Sequence, residues 1–382
     1  MRIIQIATVI TPENAYGGPT TVAFNHCRAL IAAGHDVTLV AGAQGFGAEL
    51  PDTYQDVPVR LFPVVQVIPG AGFAGLASPA MMGWLRRNVD TADAVHVHLA
   101  RDLVTLPAAS LVQNLGVRTC VQTHGMIDPS ERLMAKPLDA VLTRRVLRAA
   151  TRVFYLTDVE REGVLRVGGP SLRVEELHNG LDADSMPGPI VHETTTVLYL
   201  ARLQARKRPM VFVEAARQLA PEFPDVLFRM VGPDEGEGSA VASAIAASGL
   251  GGRLVWEGPA DRAGCQQAMG EADVYVLPSV DEPYPMSVLE ALAVELPVVL
   301  TDTCGLALAV KRADAGTVTT NAPEEIAPAI RRYLADPQLR AETARRARRL
   351  ISEEFSMAPI VDQLLRAYGR GADAAPQLAG RR

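Results

Sequence analysis

Ala272-Asp-Val-Tyr-Val-Leu-Pro-Ser279, Glu282-Pro-Tyr-Pro-Met-Ser-Val-Leu-Glu290 and Pro297-Val-Val-Leu-Thr301 read in turn as strand, loop-to-helix and strand. The outer two are short apolar runs of strand length. Between them, residues from Pro285 to Val294 carry a helical pattern. Two carboxylates therefore sit eight residues apart across a strand-to-helix turn, Glu282 before the helix and Glu290 inside it. The first N–H groups of such a helix have no partner within it and can receive an anion. On spacing alone, an exposed turn with two surface glutamates would read the same way.

The same alternation runs outward through the chain. Strands are expected at Ile3–Val9, Asp36–Ala41, Val59–Val65, Ala94–His98, Arg118–His124 and Arg152–Thr157. The second half has them at Thr196–Ala201, Val226–Gly232, Arg253–Glu257, Asp273–Pro278 and Pro297–Thr301. Helical patterns fall between them, among them Thr20–Ala33, Pro209–Ala220, Ser239–Ser248 and Arg262–Ala272. Strands alternating with helices mean parallel sheets covered on both faces. The expected class is α/β, with two Rossmann-like, doubly wound domains in series and ligands at the carboxyl ends of the strands.

A chain of 382 residues exceeds what one core usually spans. Gly180, Pro187, Gly188 and Pro189 mark a loop, so the domains are set at 1–185 and 186–355. A last helix, about 356–368, is expected to pack back on the first domain, with a disordered tail at 369–382. Hydrophobic residues make up 48% and charged residues 21%, the composition of a folded globular chain. The net charge of −6 argues against general nucleic-acid binding. Cys27, Cys120, Cys265 and Cys304 show no metal-ligand or redox spacing and read as reduced thiols, which points to the cytoplasm. Phe62 to Leu85 carries no charge, but its prolines and glycines interrupt a spanning helix; a strand and a long apolar loop are expected there.

Four further clusters stand at strand ends. Tyr16-Gly-Gly-Pro19 follows the first strand, where Gly17 and Gly18 let backbone approach a ligand; a plain tight turn fits equally well. Gln122-Thr-His-Gly125 puts His124 at a strand end, where it serves a ligand or is a polar loop residue. His96 and His98 share one strand face, with no carboxylate or cysteine at ligand spacing, so no metal is assigned. Arg202 and Lys207, on the loop leading to Pro209, suit a diphosphate or are a solvated basic loop. Asp182-Ala-Asp184 lies in the linker and reads as a loop feature. A phosphate cradle with two flanking carboxylates suits a sugar nucleotide.

Taken together, these motifs resemble the retaining glycosyltransferases of family 4, which have the GT-B fold of two Rossmann-like domains facing across a cleft. The resemblance is ordered along most of the chain. It runs through Gly17-Gly18, His124-Gly125, His178-Asn-Gly-Leu-Asp182, Arg202-Leu203 with Lys207, Val231-Gly-Pro-Asp-Glu235, Trp256-Glu-Gly-Pro259 and Glu282 to Glu290. It implies that Arg202 and Lys207 neutralise the donor diphosphate as the leaving group gains charge. It assigns Glu290 to the ribose hydroxyls, Glu282 to the transferred sugar, and the amides near Met286 and Ser287 to phosphate or sugar. Gly17 and Gly18 would admit the diphosphate, and His124 would line the sugar site. The family needs no bound metal and no cofactor beyond the nucleotide-diphosphate sugar, and attack is on the front side, with the departing phosphate taking the acceptor's proton.

Three positions depart from the family pattern. Pro285 and Glu295 stand where glycine is usual, and Thr303-Cys-Gly305 keeps one glycine of two. The acceptor is not named by any motif. Arg132, Lys136, Arg144, Arg145, Arg148 and Arg152 accompany an apolar stripe of Leu138, Val141, Leu142 and Val146. That stripe suits peripheral contact with a membrane surface or, more commonly, a helix covering a sheet. The implied activity is hexosyl transfer from a nucleotide sugar to an acceptor, in glycan, glycolipid or glycosylated-metabolite synthesis. A sugar-nucleotide epimerase of GT-B shape and a non-catalytic nucleotide-sugar-binding protein are the alternatives.

Overall fold

The structure, a computed structural model, describes residues 1–12, 17–47, 49–127, 138–182, 186 and 188–369. It contains two compact units, Met1–Gly180 joined by the C-terminal segment from Met357, and Leu181–Ser356. Residues 370–382 of the tail expected at 369–382 lie outside the described residues, as do Tyr16, Arg132, Lys136 and Asp184.

The first unit is built on an eight-stranded sheet. Its strands are Arg2–Ile10 (β1), Asp36–Ala43 (β2), Thr53–Tyr54 (β3), Val57–Pro63 (β4), Ala94–His98 (β7), Thr119–Gln122 (β8), Arg152–Tyr155 (β9) and Val174–Glu176 (β10). A separate antiparallel pair, Val65–Gln66 (β5) and Leu76–Ala77 (β6), lies between β4 and β7 in the chain. The sheet order is β10-β9-β8-β7-β1-β2-β4-β3, parallel except at the β3–β4 edge. Period two divides β1 between two cores. Ile4, Ile6 and Val9 join a cluster with Leu85, Leu106, Val112 and Val146. Ile3, Ala7 and Ile10 join another with Phe24, Leu30, Ile360 and Leu364. The helices Gly17–Ala32 and Met357–Tyr368 cover that second face, so the end of the chain closes a core that its start opens.

The second unit has a six-stranded parallel sheet. Its strands are Thr196–Leu200 (β11), Leu227–Val231 (β12), Leu254–Trp256 (β13), Val274–Leu277 (β14), Val298–Thr301 (β15) and Gly316–Thr319 (β16). Their order, β13-β12-β11-β14-β15-β16, is the doubly wound 3-2-1-4-5-6 arrangement. The chain reverses its winding between β11 and β14, and ligands of such sheets bind outside the carboxyl ends at that point.

Two expectations change, and one pair of open readings narrows. Phe62–Leu85 is not a strand followed by a long loop: Pro79–Asn88 is a helix, with Met81 and Leu85 buried. Proline at its first turn costs no intrahelical bond, so Pro79 starts the helix instead of breaking it. β10 and β16 were not expected, because three residues ending in two glutamates and Gly-Thr-Val-Thr carry little apolar signal. The stripe of Leu138, Leu142 and Val146 packs on the first core, while Val141 is 75% exposed. Covering the sheet therefore accounts for three of its four residues. No described helix is long and apolar enough to cross a membrane.

Glu295 shows a local cost. After the helix Met286–Ala293, Leu296 N–H bonds Ala291 O at 3.0 Å and Glu295 N–H bonds Leu292 O at 3.2 Å. This is a Schellman cap, whose left-handed position favours glycine. Glu295 occupies it at φ 64°. Glu295→Gly should stabilise the second unit by about 0.5–1 kcal/mol, the left-handed penalty less the added freedom of the unfolded chain. A higher denaturation midpoint for this unit, without loss of ligand binding, is the expected result.

Candidate functional site

The carboxyl ends of β11 and β14 bring the sequence-expected cations and carboxylates together. After β11 the chain turns through a 3-10 segment, Ala205–Lys207, and Arg208 takes a left-handed conformation before Pro209 opens a helix. That turn carries Lys207 inward, where it is 8% exposed. After β14 the loop carries Glu282, 7% exposed, to meet it. Lys207 Nζ donates to Glu282 Oε2 at 2.5 Å. Arg206 Nη2 lies 3.5 Å from the same oxygen. Backbone bonds fix both loops: Val280 N–H donates to Arg206 O at 3.0 Å, and Gly305 N–H to Glu282 O at 2.9 Å. Burial lowers the Lys207 pKa, and Glu282 acts against that by favouring the ammonium form.

Arg202 stands at the start of the loop after β11 and is held by Glu235 with contacts of 2.8 and 3.0 Å. The loop bearing Arg202 passes so close to Gly232 (φ 147°) that a Cβ there would stand 2.0 Å from Ala201 O. Glycine at 232 is thus a condition for the position of Arg202.

Pro285, extended at ψ 112°, is the N-cap of the helix Met286–Ala293. The amides of Met286 and Ser287 have no carbonyl one turn earlier in the helix. Met286 itself is 7% exposed, so its side chain belongs to the core and its amide to the helix mouth. Ser287 Oγ accepts from the Tyr275 hydroxyl at 2.8 Å. Glu290 lies one turn along the same face as Ser287. Burial raises the Tyr275 pKa well above its ordinary value, and the charges of Glu290 and Glu282 both add to this. The two carboxylates thus bear on one buried phenol. Tyr275, Arg206 and Glu235 were not singled out from sequence; a tyrosine in an apolar strand and residues beside a known motif carry no mark of their contacts.

In the first unit, Gly17 begins the helix Gly17–Ala32. A Cβ at Gly18 would meet nothing within 4 Å, so the fold itself does not demand glycine there. His124 follows β8 with φ 51°, a left-handed conformation held by its neighbours. Thr123 Oγ1 and Gly125 N–H both donate to Glu160 Oε1, at 2.6 and 2.5 Å. The His124 ring is half-buried and bonded to His98 at 2.8 Å. Burial lowers its pKa to about 3, with His26 adding to the effect.

His26, His96 and His98 bring ring nitrogens within 4.8 Å of one another. His98 spends both nitrogens, on His124 and on Gln5, each at 2.8 Å. Among the described residues no carboxylate or thiolate joins the group, and with both His98 nitrogens engaged a divalent cation there would lack a third ligand and charge compensation. These residues do not fit a resident metal. A groove of about 1570 Å³, lined by Arg118, Arg148, Arg173 and Asp93 among others, borders the starts of β8 and β9. It lies at the opposite strand ends from His124.

Removing one partner of a buried ion pair leaves the other charge unpaired, at roughly 3–5 kcal/mol. Glu282→Ala should therefore destabilise the second unit by about 3 kcal/mol, and Lys207→Met with Glu282→Leu should recover most of it. The chain has two tryptophans, so Trp256 fluorescence in a Trp84→Phe background reports urea unfolding of this unit alone. Equal losses in the single and double variants would mean the pair is not coupled.

Comparison with known proteins agrees with this geometry. Residues 17–180 match the model of a glycosyl transferase 4-like domain, and residues 183–350 match glycosyl transferases group 1. The chain is 29% identical over 245 residues to D-inositol 3-phosphate glycosyltransferase from Mycobacterium sp. (strain KMS), covering 57% of this chain and 53% of that protein. It is 26% identical over 274 residues to alpha-D-kanosaminyltransferase from Streptomyces kanamyceticus, covering 66% and 71%. The chain thus spans about half the length of the first of these relatives. Among solved structures, sucrose-phosphate synthase from Thermosynechococcus elongatus superposes with a TM-score of 0.75 at 19% identity, over 96% of this chain and 98% of that one. Anabaena HepE in complex with UDP and glucose gives 0.73 at 19% identity, over 94% and 98%. Strand order, the placement of the quoted motifs at strand ends and the two matched models agree: the chain belongs to the family 4-like glycosyltransferases of GT-B fold.

Proposed function

We propose that this protein is a retaining, metal-independent glycosyltransferase that moves a hexosyl group from a nucleotide-diphosphate sugar to an acceptor. The observation that carries the reading is the buried Lys207–Glu282 pair at the switch point of the second sheet, beside the open helix mouth at Met286. Arg202 and Arg206 add positive charge to the same loop. A diphosphate arriving here exchanges carboxylate partners for phosphate oxygens. Arg202 leaves Glu235, and Lys207 turns from Glu282 to the phosphate, freeing Glu282 to accept from hydroxyls of the transferred sugar. Glu290 takes the ribose hydroxyls, and the Met286 and Ser287 amides complete the anion's contacts.

In the reaction, the bond from the sugar's anomeric carbon to the diphosphate oxygen breaks, and negative charge grows on that oxygen. Arg202 and Lys207 stabilise the growing charge more than the ground state, which is how fixed cations accelerate such a step. The acceptor hydroxyl attacks from the side the phosphate leaves, and its proton passes to the departing phosphate. Configuration is kept without a carboxylate nucleophile. His124 lines the sugar's reacting face. The HepE complexes hold UDP or UDP-glucose, which makes uridine diphosphate the first donor class to try.

A thermal-shift screen with nucleoside diphosphates and their sugars, in chelator, tests this reading. A ligand that binds the native state at 100 times its Kd adds about 2.7 kcal/mol of apparent stability. The expected result is stabilisation by one nucleotide series without metal, abolished in Lys207→Ala and Glu290→Ala. Lys207→Ala should also lower kcat by about 100-fold or more, as for loss of one preorganised group that stabilises developing charge. Well-folded protein that responds to no nucleotide sugar would refute the assignment.

A further inference from the structure

One face of the first sheet carries a polar line through an otherwise apolar core. Gln5 on β1, His96 and His98 on β7, and Gln122 on β8 are all 0–1% exposed. Tyr368, the last residue of the helix Met357–Tyr368, reaches the same line and is 1% exposed. Gln5 Nε2 donates to the Tyr368 hydroxyl at 3.3 Å, and that hydroxyl lies 2.8 Å from His96 Nδ1. Gln5 Oε1 lies 2.8 Å from His98 Nε2, and His98 Nδ1 lies 2.8 Å from His124 Nε2.

The direction of each bond follows from the chemistry of its ends. An amide oxygen only accepts, so the His98 proton is on Nε2. His98 Nδ1 is then a bare acceptor, and the proton it receives is on His124 Nε2. The Tyr368 hydroxyl accepts from Gln5 and gives its own proton to His96 Nδ1, which leaves the His96 proton on Nε2. Reversing the Gln5 amide would reverse every link, so something must choose. Gln122 makes that choice. Its Nε2 is spent on Asn179 Oδ1 at 3.1 Å, which turns its oxygen to the acceptor role. That oxygen favours a proton on His96, and neither it nor His96 Nε2 has a hydrogen-bond partner among the described residues. A proton on His96 Nε2 is compatible only with the direction given above.

We propose that Gln5, held by Tyr368, sets the ring proton of His124 on Nε2 through His98, and so is a positioning residue for glycosyl transfer. The half-buried His124 ring then presents its Nδ1 as a hydrogen-bond acceptor, fixed in orientation by a residue that touches no substrate. The inference rests on the reading that His124 lines the transferred sugar. It also assigns a part in the site to the C-terminal helix, whose last side chain anchors the line.

The test uses the full chain with histidine-selective nitrogen-15 labelling, which gives seven imidazoles to resolve. His124 is assigned by the loss of its signals in His124→Gln. Two variants follow: Gln5→Leu removes the amide at similar volume, and Tyr368→Phe removes only a hydroxyl and keeps the core ring. Wild-type His124 should show the Nε2–H tautomer. In Gln5→Leu its two nitrogen shifts should move toward a tautomer mixture, with a smaller movement in the same sense in Tyr368→Phe. Turnover is read as hydrolysis of whichever nucleotide sugar stabilises the protein most. In Gln5→Leu, kcat should fall by about tenfold, the low end for losing a histidine's orienting partner, with donor KM unchanged. His124 found as Nδ1–H in wild type, or shifts unchanged in both variants, would overturn the proposal. So would altered shifts with unaltered kcat. A His124→Gln enzyme as fast as wild type would instead remove the sugar-site role of His124, while the shifts still report the relay.

Discussion

The second unit is organised around one buried ion pair. Lys207 and Glu282 are both less than 10% exposed, and neither is stable there without the other. Each comes from the loop after a strand, and those strands, β11 and β14, are neighbours only because the sheet reverses its winding between them. The pair needs that topology, and the loops need the pair. Arg208 and Asp281 both lie in the left-handed region to bring the charges inward, a cost the buried contact offsets. The same arrangement leaves the site open to a ligand. A carboxylate holding a buried ammonium is a placeholder that a phosphate can replace, because both present oxygen acceptors of negative charge.

The first unit meets a comparable constraint with neutral groups. Four polar side chains, two of them histidines, are buried on a sheet face, with His26 set against them from the helix Gly17–Ala32. Burial keeps His96 and His98 well below their ordinary pKa, and holds His26 at about 3. Neutral rings are tolerable in such a core if they bond to each other, and chains of such bonds are directional. Direction is then information: it reaches His124 from a residue at the other end of the sequence. Glu160 adds a second support, since its carboxylate ties Thr123 and Gly125 on either side of that histidine.

Much of this was legible beforehand because the signals are local. A parallel strand buried on both faces is an apolar run, and the helix that follows it has its own period. The strands expected at Ala94–His98, Asp36–Ala41 and Thr196–Ala201 follow from that alone, and the structure has them at Ala94–His98, Asp36–Ala43 and Thr196–Leu200. Gly232 and Glu295 show where local reading stops. The need for glycine at 232 arises from Ala201, thirty-one residues away, and the cost of glutamate at 295 arises from a cap geometry that composition does not display. Val174–Glu176 pairs with β9 despite two glutamates because the sheet edge supplies the hydrogen bonds its side chains do not advertise.

The α/β class, most of the element order and the placing of charged residues at strand ends can be read from the chain alone, since each depends on periodicity and on sequence neighbours. Folding alone pairs Lys207 with Glu282 and Arg202 with Glu235, and lets Tyr368 reach His124 through Gln5 and His98. The reason is physical: hydrogen bonds and ion pairs form between groups brought within about 3 Å, and residues separated by 33, 75 or 363 positions acquire that proximity from the winding of the sheet and the packing of its helices.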